Sequence, residues 1–331
     1  MLFQDEGREK AHFTLIALAV QLAALLLHIP AVFAQDPKKL PPEIAAELAR
    51  SPKPPLSNQV VGIDIDRFFG NPLLSPVRVT EGVIFERSIL RHGDSYHPGD
   101  PGAVLEFWKD LSLGTMLGKA RTPMTATTHE QFWYVESGTG RLDNGNQYWD
   151  LHEGIAVLIP TGAQHRVENT SDEPLQMLML SWTQGNGATP RTDILVRDVH
   201  SLRLPPQPAH WSYFGADLFA PEDGLNTNDV FSVVYMPPMT IGEPHAHIPH
   251  WDEVWIKLPP FTSYAMVGSE VRQMPPNSAY LSPPNSQTTH SQANLMRDKT
   301  QGWLYLAHAT WNLGPHPNRP LVEPKSLKDL H

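Results

Sequence analysis

The sequence predicts an all-β chain built twice from one antiparallel unit, and three observations carry that prediction. Short apolar or alternating runs recur along the chain, each closed by Gly, Pro, Asn or Asp, as strands bounded by turns require. Prolines number 33 in 331 residues, and they fall in small clusters between those runs. That is about twice the usual share and implies many turns. The runs form two sets in the same order, so internal duplication of an all-β unit of roughly 100 residues is the simplest account. No long 3.6-residue period interrupts the strands, which favours a closed or sandwich barrel over a parallel α/β sheet.

In chain order, residues 13–34, FTLIALAVQLAALLLHIPAVFA, come first. They read as a secretory apolar region with cleavage after Ala34, or as an uncleaved anchor close to the ~20 residues of a bilayer span. Arg8 and Lys10 are offset by Asp5, Glu6 and Glu9, a less positive start than most signal peptides carry. Either reading of residues 1–34 predicts a periplasmic or secreted protein, with membrane contact only if the segment stays uncleaved. Residues 35–76 are a linker or N-terminal arm, with a short helical stretch at 42–50 between proline clusters. Residues 77–200 hold the first set of strands, among them EQFWYVESG, GIAVLIP and LQMLMLSW. After the proline-rich hinge SLRLPPQPAH at 201–210, residues 205–315 hold the second set, including DVFSVVYM, DEVWIKL and GWLYLAHAT. Residues 316–331 are a tail.

Composition removes several function classes. Lys and Arg total 25 against 35 acids, for a net charge of −10, and no basic block appears. A binder of phosphate backbones needs the opposite, so nucleic acid is not the expected partner. There is no cysteine. A disulfide framework, a thiolate metal site and a Cys nucleophile are therefore impossible, and any metal must be held by nitrogen and oxygen. No Gly-x-Ser-x-Gly elbow supports a serine hydrolase.

The chemistry concentrates in EPHAHIPHWDEVW, residues 243–255, where three of the sixteen histidines are followed by two adjacent acids. In an extended segment His245 and His247 present both imidazoles to one side while Ala246 points away, the arrangement a single cation needs. An acid follows at Asp252 or Glu253. Glu253 is preferred because it leaves Val254, Ile256 and Leu258 on the opposite face of the strand, whereas Asp252 fits if HIPHWDE is counted without a bulge. Trp251 and Trp255 are expected to pack the barrel.

Two motifs make the chain resemble the cupins, and specifically bicupins with two barrels in one chain. In GIAVLIPTGAQHRVEN, Gly154, Pro160, Gly162, His165 and Asn169 match every fixed position of the second cupin motif. Gly118 and Gly138 trace the first motif in the same copy, but Met124, Ala126 and Gln131 stand where its ligands should be. The resemblance thus implies a cupin barrel, a double-stranded β-helix or jelly-roll, whose metal motif is degenerate. His129 and Gln131, two apart on a strand and on the face that His165 lines, could rescue a metal site with it, although a Gln amide is a weak ligand; otherwise the three are candidates for substrate contact there.

In the second copy the turn residues have drifted, with Pro259 and Pro260 where a Gly is expected, yet the ligands remain. His245 and His247 form the His-x-His pair, and His290 stands three residues before Asn294 as in the second motif, although NSAYLSPPNSQTTHSQAN carries two extra residues before it. The resemblance implies a metal held by His245, His247, Glu253 and His290. His250 lies off the motif, as a rim or outer contact near a small-molecule substrate. The cofactor expected is one divalent first-row transition metal, Fe or Mn favoured, with Zn, Ni and Cu open. The function implied is a metal-dependent oxidoreductase, dioxygenase-like, acting on a small oxygenated or aromatic compound. A carbohydrate-binding or other small-molecule-binding cupin without catalysis, and a metal-dependent decarboxylase or isomerase, are the competing readings. Pairing through edge strands and N-terminal arms makes a homo-oligomer the expected assembly, with residues 37–76 covering the first barrel or swapping onto a neighbour.

Overall fold

The computed structural model describes residues 64–183, 191–204, 206–207, 210–225, 229–248 and 250–309. The expected signal or anchor at 1–34, the helical stretch at 42–50 and the tail at 316–331 lie outside them. Among the described residues no helix is long and apolar enough to cross a membrane.

The strands build two units with the same topology. In the first, a large sheet runs in the order Leu195–Asp198, Ile155–Ile159, Glu130–Ser137, Leu175–Trp182, Asp110–Met116, Ile84–His92, Arg78–Thr80. A four-stranded sheet of Thr125–Ala126, Gln164–Asn169, Gly140–Asp143 and Tyr148–Leu151 accompanies it. In the second unit the large sheet runs Phe69–Gly70, Ala279–Leu281, Trp251–Lys257, Gln301–Ala309, Val230–Met236, His210–Phe219, Pro206–Gln207. Its four-stranded partner is Thr240–Ile241, His290–Asn294, Ser263–Val267, Glu270–Met274. The two lists correspond strand for strand, and the fold is all-β as the sequence predicts.

The edge strands carry an exchange that the sequence does not announce. Leu195–Asp198, which precedes the second barrel in the chain, pairs with Ile155–Ile159 of the first. Phe69–Gly70, which precedes the first barrel, pairs with Ala279–Leu281 of the second. The described end of the arm therefore lies on the second barrel, where Ile65 joins the core and Asp66 Oδ1 accepts from Arg272 at 2.9 and 3.0 Å. The same stretch also touches the first barrel, where Gly102 N donates to the Arg67 carbonyl at 2.8 Å and the Ser75 carbonyl accepts from Arg87 at 2.7 Å.

Three cores follow from strand alternation. Along Glu130–Ser137, Trp133 and Val135 point into the first barrel, while Phe132 and Tyr134 point out and meet Phe219, Phe231, Val254 and Ile256 of the second. Trp255 points into the second barrel with Tyr213, Tyr280 and Trp303. The central strands are buried on both faces, and that is why EQFWYVES and DEVWIKL read as nearly continuous apolar runs rather than clean alternations.

The motif asparagines are clamps. Asn169, fully buried, turns Nδ2 to the carbonyls of Met116, Leu117 and Glu173 at 2.7–3.2 Å. Asn294 does the same with Met236, Pro237 and Lys299 at 2.7–3.0 Å. Each ties the end of one strand to the turns beside it, giving partners to carbonyls at the barrel's edge. Gly154 is needed for a different reason: its φ is +87°, and a Cβ there would come within 2.7 Å of Val199.

Candidate metal centre

His245 lies in extended chain and exchanges backbone hydrogen bonds with His290, its N donating at 3.2 Å and its carbonyl accepting at 2.8 Å. The same segment carries His247 two residues on, so both imidazoles face the barrel interior. Glu253 enters from the neighbouring strand Trp251–Lys257, on the same face as Trp255. One ligand atom from each of His245, His247, Glu253 and His290 lies within 4.8 Å of all the others. The group is deeply set, with Glu253 2% and His290 0% exposed, while His245 is half-buried and marks the open side.

The edges of this group fit a metal ion. His247 Nε2 is 2.9 Å from Glu253 Oε2 and 3.1 Å from His290 Nε2, and His290 Nε2 is 3.2 Å from Glu253 Oε1. Ligands held at about 2.1 Å from one ion are separated by about 3.0–3.4 Å, depending on coordination number. With both rings' Nε2 lone pairs free, two nitrogens 3.1 Å apart beside a carboxylate are the arrangement that a cation between them satisfies. The outer nitrogens are already occupied: His245 Nδ1 is 2.9 Å from the Glu243 carbonyl, and His290 Nδ1 is 2.9 Å from Tyr280 Oη. The carbonyl requires a proton on His245 Nδ1 and so leaves its Nε2 a lone pair; Tyr280 Oη can fill either role toward His290 and holds its ring in place.

A polar layer supports the ligands. Glu253 accepts from Trp255 Nε1 at 2.7 Å and Tyr305 Oη at 3.1 Å. Behind His290, Gln292 Nε2 donates to Tyr280 Oη, and Tyr213 Oη donates to Gln292 Oε1. Gly242 permits this approach, because a Cβ there would collide with the Tyr213 hydroxyl. Burial works to raise the pKa of Glu253, but the charge and hydrogen bonds of His247 and His290 outweigh it and hold the carboxyl well below its usual range. Burial lowers His290 to about 4, so its imidazole is neutral near pH 7 and available as a ligand.

The other candidate residues separate cleanly. Asp252, the alternative acid, points to the opposite face, where Oδ2 accepts from the backbone N–H of Glu106 and Phe107 at 2.8 and 3.1 Å. Burial raises its pKa to about 7. The bonds run from the second barrel to the loop before Asp110–Met116, making Asp252 a strap between the barrels. His250 is exposed at the rim, its N–H donating to Tyr96 Oη at 2.6 Å and its Nδ1 lying 3.2 Å from Glu106 Oε1. Trp251 is half-buried with its ring 4.8 Å from that of His247, a wall of the site as well as packing.

In the first barrel the strand register corrects the positions read from the sequence. His165 pairs with Thr125, as His290 pairs with His245. Thr125 and Thr127, not Met124 and Ala126, therefore occupy the places of the two histidines. Trp133 pairs with Val157 and Met179 as Trp255 pairs with Tyr280 and Tyr305, which places Gln131 at the position of Glu253. His165 is fully buried, its ring 5.4 Å from that of Trp133. His129 is not brought to it: its Nε2 lies 2.7 Å from the Nζ of exposed Lys109. Sequence reasoning missed Tyr213, Tyr280, Gln292 and Tyr305, although Tyr280 and Tyr305 sit opposite the inward Trp255 and could have been found by alternation.

Comparison with known proteins agrees with the fold. A family model described as the cupin domain matches residues 113–181, within the first barrel. The 7S globulin of Momordica charantia superposes with a TM-score of 0.55 at 11% identity, over 74% of this chain and 85% of its own. A point mutant of Bacillus subtilis oxalate decarboxylase gives 0.52 at 11% identity, over 73% and 79%. A candidate dioxygenase from Nostoc punctiforme gives 0.53 at 15% identity, over 73% and 82%. No curated protein sequence matches the chain. Residues 113–181 thus carry a cupin domain, and the described residues form two barrels of one strand order.

Proposed function

We propose that the protein is an exported, metal-dependent oxidoreductase of dioxygenase-like type, acting through its second barrel on a small oxygenated or aromatic compound. The observation that carries the reading is the converging set of His245, His247, Glu253 and His290. A divalent first-row ion held there, Fe or Mn for preference, would supply Lewis acidity and coordination positions for dioxygen and a chelating substrate. The surrounding residues do the rest. Trp255 and Tyr305 fix the Glu253 carboxylate, and Tyr280 fixes the His290 ring. The buried side, closed by Tyr213, Trp255 and Trp303, excludes water and leaves approach from the half-buried His245 side, where Trp251 offers an aromatic wall. Export rests on the apolar run at 13–34.

The test is metal content of the purified protein beside the His245→Ala/His247→Ala variant, followed by an oxygen electrode with catechols, gentisate-like acids and keto acids. One equivalent of a single metal lost in the variant, with oxygen uptake on one substrate, supports the reading. Metal without oxygen uptake, but with release of CO₂ from a keto acid or oxalate, turns it to a decarboxylase. No metal after reconstitution turns it to a binding protein.

A further inference from the structure

The first barrel has lost three of four ligands, yet its interior is not apolar at that place. His165 is fully buried, and its Nδ1 lies 3.1 Å from the Ala163 carbonyl. A proton on Nδ1 for that bond leaves Nε2 as a lone-pair acceptor. Nε2 has no hydrogen bond. The nearest charged group is Glu81 Oε1 at 3.7 Å, beyond bonding reach, and Glu81 Oε2 is buried without a partner as well. Glu81 comes from the turn between Arg78–Thr80 and Ile84–His92, outside both motifs, and its φ of +47° is uncommon for any residue with a side chain.

A third unpartnered acceptor stands at the register position that Glu253, a neighbour of His290, holds in the second barrel. Gln131 holds that position, and its Nε2 donates to Thr127 Oγ1 at 3.1 Å, as Glu253 meets His247. That bond commits the amide, and Oε1 is buried without a partner. An imidazole lone pair, a carboxylate oxygen and an amide oxygen are thus all unsatisfied, with no donor among them. Each such group left bare in an interior is strongly unfavourable, and a carboxylate is the worst case.

We propose that the first barrel holds a second divalent-cation site formed by His165 Nε2, Glu81 and Gln131 Oε1, in which Glu81 replaces the acid lost at position 131. With one imidazole and two oxygens in place of three imidazoles and one oxygen, the site has fewer ligands and binds more weakly than the second barrel's, and its oxygen-rich set suits a hard ion such as Mn²⁺. The thiol-free chain offers softer ions no advantage there.

The experiment is calorimetric titration of the metal-stripped protein with Mn²⁺, with electron paramagnetic resonance counting bound ion. Wild type is expected to take up two equivalents of unequal affinity. His245→Ala/His247→Ala should keep the weaker one, and Glu81→Gln, isosteric and compatible with the same backbone, should keep the tighter one. The triple variant should bind none while melting as a folded protein. The proposal is overturned if His245→Ala/His247→Ala binds no Mn²⁺, or if its remaining equivalent survives Glu81→Gln. These outcomes are independent of the second barrel: loss of the tight equivalent alone in wild type would sink the proposed function and leave this site standing.

Discussion

The two barrels share a scaffold and differ in what fills it. Asn169 and Asn294 make the same three contacts, and the sheets run in the same order. Inside, His245, His247 and Glu253 face Thr125, Thr127 and Gln131 at corresponding register. The supporting layer differs with them: Tyr280 and Tyr305 in the second barrel correspond to Val157 and Met179 in the first. Gln292, two residues past His290, corresponds to Val167, two past His165. Ligands and the groups that orient them have therefore been replaced together, while the clamps that hold the barrel shut have not. A fold-level motif can thus be complete, as it is in the first barrel, where the motif's own ligand set has gone.

The strongest way to break this comparison is to remove the acid. Glu253→Ala should abolish metal binding in the second barrel, because three imidazoles then face a buried space with no anion to balance the ion. Metal content by plasma mass spectrometry checks this, and retention of the tight equivalent would show that Glu253 is not a ligand. The clamps should matter equally in both barrels. Asn169→Ala and Asn294→Ala each strip partners from three buried carbonyls, and each should lower stability by about 2–3 kcal/mol in urea unfolding. A large effect in one barrel and none in the other would mean the shared fold is held differently.

Much of the site was legible because ligands at alternate positions of an extended segment leave a plain trace. His245 and His247 stand out by their spacing, and His290 is found through the resemblance to the second cupin motif, three residues before Asn294. The choice between Asp252 and Glu253 also yielded to alternation, since the acid that leaves Val254 and Ile256 outward is the one that meets the histidines. The first barrel misled by one residue for a physical reason. Between the bridge Arg121–Glu168 and the pair Thr125–His165 the register shifts by one, a bulge that moves the facing residues from Met124 and Ala126 to Thr125 and Thr127. Counting from Gly118 cannot see a bulge. The exchanged edge strands were hidden for another reason: Phe69–Gly70 is two residues long, and its partner lies about 200 positions away.

The supporting layer offers a finer test. Tyr280→Phe removes the oxygen that His290 Nδ1 and Gln292 Nε2 share, and should weaken metal binding by about 10–100-fold without removing a ligand. The corresponding change in the first barrel is already present as Val157. Competition titration against a chelator of known affinity measures the difference; unchanged affinity would mean the ring is held by packing alone.

The smallest effect expected lies where the barrels meet. Glu136 stands three residues past Trp133 as Leu258 stands three past Trp255, and both line a cavity of about 390 Å³ between the barrels. Burial raises the pKa of Glu136 to about 8, against opposing help from Asn277 and Lys257. Its folded value thus lies above the unfolded value near 4.5. The folded chain holds a proton that the unfolded chain releases, so stability is full below about pH 4.5 and declines as pH rises through the folded value. Glu136→Leu, which makes the two positions alike, should remove that decline. Lys257, itself lowered to about 8 by burial, loses its neighbouring carboxylate in the variant, which trims the gain. The net increase at pH 8.5 should be on the order of 1 kcal/mol, with none at pH 5. Urea unfolding of the metal-free protein at both values checks it, and a gain of equal size at pH 5 would mean that cavity filling, not proton release, separates glutamate from leucine at this position.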